Sequence, residues 1–248
     1  HTGSPSLPHN ASNMPFPPPR RWATNQNMRW TLPNTLTVLR LLAAPGVAVM
    51  FLYFQRPWAD WFALALFVSA AITDYFDGYL ARLWKQESKF GAMLDPIADK
   101  AMVIIALMVI TGYSGMNPWL ILPTTVILSR EVFVSGLREF LGAKAGLLKV
   151  TKLAKWKTTA QMVAIAVLFL GTGLEYLHLE TYQQMNPADY DALLLSGAQD
   201  FNTLWLIANG GWYAGITGFV LIWIAAVLTF VTGLDYYLKA LPHLKDDP

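Results

Sequence analysis

Six apolar stretches of about 20 residues each take up most of this chain and leave it few folds to adopt. They run from about Asn34 to Phe54, Trp58 to Leu83, Asp95 to Tyr113, Pro118 to Phe140, Leu153 to Leu174 and Gly211 to Leu238. None alternates strictly, and all are too long for the strands of a membrane barrel, so helix is the expected element throughout. In a bilayer such a segment must satisfy its own backbone N–H and C=O groups, which a helix does. Only 14% of the 248 residues are charged, against about 25% in a soluble domain, and the mean hydropathy is +0.37. The expected fold is an all-α integral membrane protein with six transmembrane helices in one domain, residues 31–240. The sequence has no cysteine, which excludes disulfides, thiolate metal sites and a cysteine nucleophile.

The cations give these spans a direction. Arg20, Arg21 and Arg29 precede the first span. Lys85 and Lys89 join the second to the third, with Arg82 and Lys100 at the flanking ends. Lys144, Lys149 and Lys152 join the fourth to the fifth, flanked by Arg138, Lys155 and Lys157, and Lys239 and Lys245 follow the sixth. The other side receives only Arg56. Lys and Arg concentrate on cytoplasmic loops, so both termini are expected in the cytoplasm, and an even number of spans requires the termini to share a side. The loop 175–210 then lies outside and carries Glu175, Glu180, Asp189, Asp191 and Asp200 without Lys or Arg. Residues 1–30 lack the apolar run of a signal peptide and read as a polar, disordered cytoplasmic tail, and 241–248 as a second cytoplasmic tail. His178 and His243 are expected to face solvent.

Within this apolar frame, four acids need an explanation. Asp74 and Asp77 are three apart and share one helix face near the end of the second span; Asp95 and Asp99 are four apart and share a face at the start of the third. Unpaired charges in low dielectric each cost several kcal/mol, so protons, basic partners or cations must offset them. Carboxylates grouped without His or Cys are hard oxygen ligands that suit Mg²⁺ or Mn²⁺ rather than Zn²⁺. Two such ions could clamp a pyrophosphate. Gly78 and Ala81 leave room beside the helix, Gly91 does the same one turn before Asp95, and Arg82 could grip a phosphate with its planar fork.

Asp74, Asp77, Gly78, Ala81, Arg82, Gly91, Asp95 and Asp99 fill the pattern D-x2-D-G-x2-A-R-x8-G-x3-D-x3-D without departure. The chain therefore resembles the CDP-alcohol phosphotransferase family. The segment Pro33-Asn34-Thr-Leu-Thr37-Val-Leu-Arg40 is similar to the start of that family's first helix. The resemblance implies a six-helix homodimer holding two divalent cations in a cavity facing the cytoplasm. Asp74 and Asp95 would bridge the ions and Asp77 would bind one; Asp99 would bind one and serve as general base. Asn34, Thr37, Gly78, Ala81, Arg82, Ser88 and Gly91 would lie against the CDP part of a CDP-activated lipid. The implied reaction is attack by an acceptor hydroxyl on the lipid-side phosphorus, with CMP leaving.

The acceptor is read from a second segment, Ser129-Arg130-Glu131 through Arg138-Glu139, followed by the basic run Lys149 to Lys157. It resembles bacterial members of the family that use sn-glycerol 3-phosphate as acceptor and CDP-diacylglycerol as donor. An acceptor carrying a phosphate needs cations beside it, and Arg138, Lys149, Lys155 and Lys157 could supply them. Arg138 and Arg130 lie in an otherwise apolar stretch, where a charge is a functional candidate by default, although Arg130–Glu131 and Arg138–Glu139 also read in part as pairs with other helices. Inositol phosphate or serine as acceptor is the alternative within this chemistry, and a divalent-cation transporter the alternative outside it. A transporter would spread its acids across the midplane in repeated halves, whereas here they cluster at one end. The expected surroundings are bilayer lipids of a bacterial inner membrane, with no nucleic-acid partner.

Overall fold

The computed structural model describes residues 32–84, 89–142, 152–200 and 203–243, and their side chains except at 33, 75, 77–84, 89, 152–155 and 198–200. These residues form α1 (Leu32–Tyr53), α2 (Trp58–Trp84), α3 (Lys89–Tyr113), α4 (Pro118–Leu141), α5 (Lys152–Gln184), α6 (Pro187–Asp200) and α7 (Thr203–Ala240), followed by a 3-10 turn at Leu241–His243. No strand occurs among the described residues.

Local chemistry sets the helix ends. At the start of α4 the Asn117 side chain accepts from the Trp119 N–H at 3.0 Å, and Pro118 follows at a position where a missing N–H costs nothing. At its end Gly142 adopts a φ of 50°, a region that favours glycine. Helix α1, helix α4, α5 from Trp156 and α7 from Thr203 are long and apolar enough to cross a membrane. Helices α2 and α3, with 27 and 25 residues, are also longer than the roughly 20 a crossing needs, but they carry the acids. Leu42, Leu52, Met108, Leu122, Val227 and Phe230 are exposed along the helices, the kind of apolar surface that lipid covers.

Three boundaries differ from expectation. Helix α3 begins at Lys89 rather than near Asp95, α5 continues to Gln184 rather than ending near Leu174, and α7 begins at Thr203 rather than Gly211. The stretch 175–210, expected as a loop, is therefore largely helical. Hydropathy falls where Glu175 and Glu180 enter, but helix formation does not stop with it, because Leu, Glu and Gln remain good helix formers. The antiparallel packing of α5 on α7 stays tight up to these expected ends. A Cβ at Gly171 would stand 3.1 Å from the Gly215 nitrogen, and one at Gly211 would stand 3.2 Å from the Glu175 nitrogen. Only missing side chains let two helix backbones run this close. His178, expected in solvent, is half-buried against α6, where its ring stacks on Tyr190 and shares a hydrogen bond with the tyrosine hydroxyl.

The core of the bundle is built from Phe67, Met102, Leu107, Ile127, Ile165, Phe169 and Ile222. Its two ends have different chemistry. At one end, the Tyr113 hydroxyl near the close of α3 donates to the Phe51 carbonyl of α1 at 2.9 Å. Beside it Arg56 grips Asp60 through Nε and Nη2, both at 2.7 Å, and also donates to the Thr172 carbonyl of α5 at 3.0 Å. The Arg56 guanidinium stands 5.5 Å from the Tyr113 ring centroid and 4.7 Å from that of Tyr176. This is the one cation that the charge pattern placed apart from the rest, and the fold pairs it with a fully buried carboxylate.

Candidate functional site

The opposite end gathers the motif. Asn34, Thr37 and Arg40 follow one another at three-residue spacing on α1 and are all buried, at 3%, 2% and 3% exposure. This face meets the acids of α2 and α3. Arg40 Nη1 donates to Asp74 Oδ1 at 2.5 Å and to Asp99 Oδ1 at 2.7 Å. Thr37 Oγ1 donates to Asp95 Oδ1 at 2.7 Å. One helix thus supplies the groups that hold three aspartates from two other helices. The side chains of Asp74 and Asp99 remain 48% and 52% exposed, so a ligand arriving from outside the bundle can reach them.

These donors fit hard divalent cations by type, since all are carboxylate oxygens with neither sulfur nor imidazole among them. Each hydrogen bond engages Oδ1 and leaves the second oxygen of each carboxylate outside it. Among the described residues no three His, Cys, Asp or Glu side chains converge tightly enough to hold an ion between them. A guanidinium nitrogen instead stands between Asp74 and Asp99. Gly91 is buried on α3 one turn before Asp95. Asp77, Gly78, Ala81 and Arg82 lie on the last turns of α2 with side chains outside the described set, and Ser88 lies outside the described residues.

A second polar network adjoins the first. Glu131, on α4, receives the ammonium of Lys157 from α5 and Nη1 of Arg130 at 3.1 Å. Its backbone carbonyl accepts from Ser135 Oγ at 2.5 Å, and Ser135 Oγ accepts from Lys100 Nζ at 2.5 Å. Lys100 follows Asp99 in the chain, so this network begins next to the aspartates. The Lys157 side chain is only 6% exposed and is committed to Glu131. The Arg138 guanidinium stands 6.0 Å from the ring centroid of Tyr236 on α7. Lys155 lies on α5 with its side chain outside the described set, and Lys149 lies outside the described residues.

A family model, that of the CDP-alcohol phosphatidyltransferases, matches residues 30–231, which include every aspartate of the motif. This chain belongs to that family. It is 72% identical over 220 residues to a Cereibacter sphaeroides protein named CDP-diacylglycerol–glycerol-3-phosphate 3-phosphatidyltransferase, covering 89% of this chain and all of that protein. Proteins of the same name from Rickettsia bellii and Escherichia coli K12 are 36% identical over 207 residues and 32% identical over 221 residues. They match 83% and 88% of this chain and 93% and 100% of their own lengths.

For a member of this family the structure adds two residues to those singled out by the motif. Arg40 was legible as the next step of the 34–37–40 spacing, but nothing in α1 alone says that two carboxylates lie opposite it. Glu131 was legible as an acid in an apolar span. Its partner Lys157 lies 26 positions further along the chain, on another helix.

Proposed function

We propose that this chain is a phosphatidylglycerophosphate synthase, transferring the phosphatidyl group of CDP-diacylglycerol to sn-glycerol 3-phosphate with release of CMP, in the synthesis of phosphatidylglycerol and cardiolipin. The observation that carries the reading is the 72% identity with the Cereibacter sphaeroides protein of that named activity, along its whole length. The clustering of Asp74, Asp95 and Asp99 at one end of the bundle supports the chemistry.

Asp74, Asp77, Asp95 and Asp99 would hold two divalent cations, Mg²⁺ or Mn²⁺. When bound, such ions offset the charge of the donor pyrophosphate and of the departing CMP. Asp99 takes the proton of the acceptor hydroxyl as its oxygen bonds to the lipid-side phosphorus and the bond from that phosphorus to the CMP oxygen breaks. Asn34, Thr37, Gly78, Ala81, Arg82, Ser88 and Gly91 form the CDP side of the site. Arg138, Lys149, Lys155 and Lys157 face the acceptor phosphate, with Lys157 acting as half of its pair with Glu131 rather than as an isolated charge. On this reading six helices cross a bacterial inner membrane, and both termini and this end lie in the cytoplasm, where the positive-inside pattern puts them. Residues 1–30 and 241–248 are tails of the catalytic domain 31–240, and the working unit is a homodimer.

Purified protein in detergent, given CDP-diacylglycerol, Mg²⁺ or Mn²⁺ and glycerol 3-phosphate, is expected to release CMP and to stop on chelation. Release with inositol phosphate or serine but not with glycerol 3-phosphate would replace the acceptor. No release with any acceptor would remove the transferase reading.

A further inference from the structure

We infer that Arg40 is the internal counter-cation of the carboxylate site: it holds Asp74 and Asp99 together when no metal is bound and competes with divalent cations for them. The inference rests on the reading above that these aspartates take such ions. Its own support is geometric. A single guanidinium nitrogen, Nη1, lies 2.5 Å from one carboxylate oxygen and 2.7 Å from the other, bridging two helices from a third. A divalent cation held by these two carboxylates would compete with that nitrogen for their oxygens. Arginine stays charged under all ordinary conditions, and a cation this deeply buried is stable only when paired. Asp74 and Asp99 would therefore repel each other less with Arg40 between them, and an arriving ion must displace the arginine from the shared oxygens or share them with it.

Linkage fixes the sign. A group that interacts more strongly with the ion-free site than with the loaded one lowers ion affinity, and its removal raises that affinity by the same factor. Binding of Mn²⁺ to the purified full-length protein is measured by the electron paramagnetic resonance signal of free Mn²⁺, alongside thermal unfolding with and without Mn²⁺. Arg40→Met is expected to bind Mn²⁺ at least about fivefold more tightly than the wild type, the lower range of measured coupling between sites. Its unfolding temperature falls without the ion and recovers more on adding it than the wild type's rises. Arg40→Lys, which keeps the charge, is expected to stay nearer the wild type. If Arg40→Met does not fold, Arg40→Met/Asp99→Asn is compared with Asp99→Asn alone, and a smaller tightening of the same sign is expected, because Arg40 then pairs with the Asp74 carboxylate only. Equal or weaker Mn²⁺ binding on loss of the arginine overturns the inference and makes Arg40 a scaffold for the ions instead. A wild type that binds no Mn²⁺ overturns the metal reading itself and this inference with it.

Discussion

The ammonium of Lys100 donates to Ser135 Oγ at 2.5 Å, so the residue directly after Asp99 is tied to the fourth helix. Ser135 passes the link on to the Glu131 carbonyl, also at 2.5 Å. A chain of polar contacts thus joins the aspartate end of α3 to the segment proposed to face the acceptor. Ser135→Ala removes its centre. We expect kcat/KM for glycerol 3-phosphate to fall about tenfold, the worth of one hydrogen bond to a charged group at about 1.5 kcal/mol, while the KM for CDP-diacylglycerol moves less. Steady-state kinetics in both substrates test this, and equal losses in both would mark the link as merely structural.

Glu131 and Lys157 form an ion pair whose side chains are 15% and 6% exposed. Taking away one charge strands the other in a poorly solvated place. Glu131→Gln is expected to cost about 3 kcal/mol of stability, and the double variant Glu131→Gln/Lys157→Met to recover a good part of it. Thermal unfolding in detergent reads both. Simple additivity of the two substitutions would show that the pair does not couple.

At the far end, Asp60 is fully buried and accepts two hydrogen bonds from Arg56 and one from Thr172 Oγ1 at 3.0 Å. Asp60→Asn breaks the charge balance there and is expected to destabilise the protein by about 3 kcal/mol. Because this network lies at the end remote from the motif aspartates, kcat and KM per folded molecule should be unchanged. A specific loss of turnover at unchanged folded fraction would mean that this end communicates with the site.

Asp99→Asn keeps the shape of the side chain but removes its capacity to accept a full proton. CMP release is expected to drop by about two to four orders of magnitude, the usual span for a positioned base, while CDP-diacylglycerol still binds. Binding isotherms beside turnover rates separate the two effects, and robust turnover would take Asp99 out of the base role.

Much of this protein could be read along the chain. Backbone polar groups in an apolar stretch have to be satisfied within that stretch, so long apolar runs were legible as helices. Asp74, Asp77, Asp95 and Asp99 stood out because charge in such runs is costly and therefore rare. Their spacing also carried the family, since it involves only neighbours on one or two helices. The extent of α5 and α7 was not legible. Their close packing was hidden too, because Gly171 and Gly211 let two backbones approach and the approach exists only once both helices are packed. The partners of the charges were equally hidden. Arg40 and Asp99 are 59 positions apart and Glu131 and Lys157 are 26 apart, and no local periodicity relates them. Ion pairs form by distance in space, so the folded bundle alone determined that an arginine of α1 stands between two aspartates and that Lys157 is held by a glutamate.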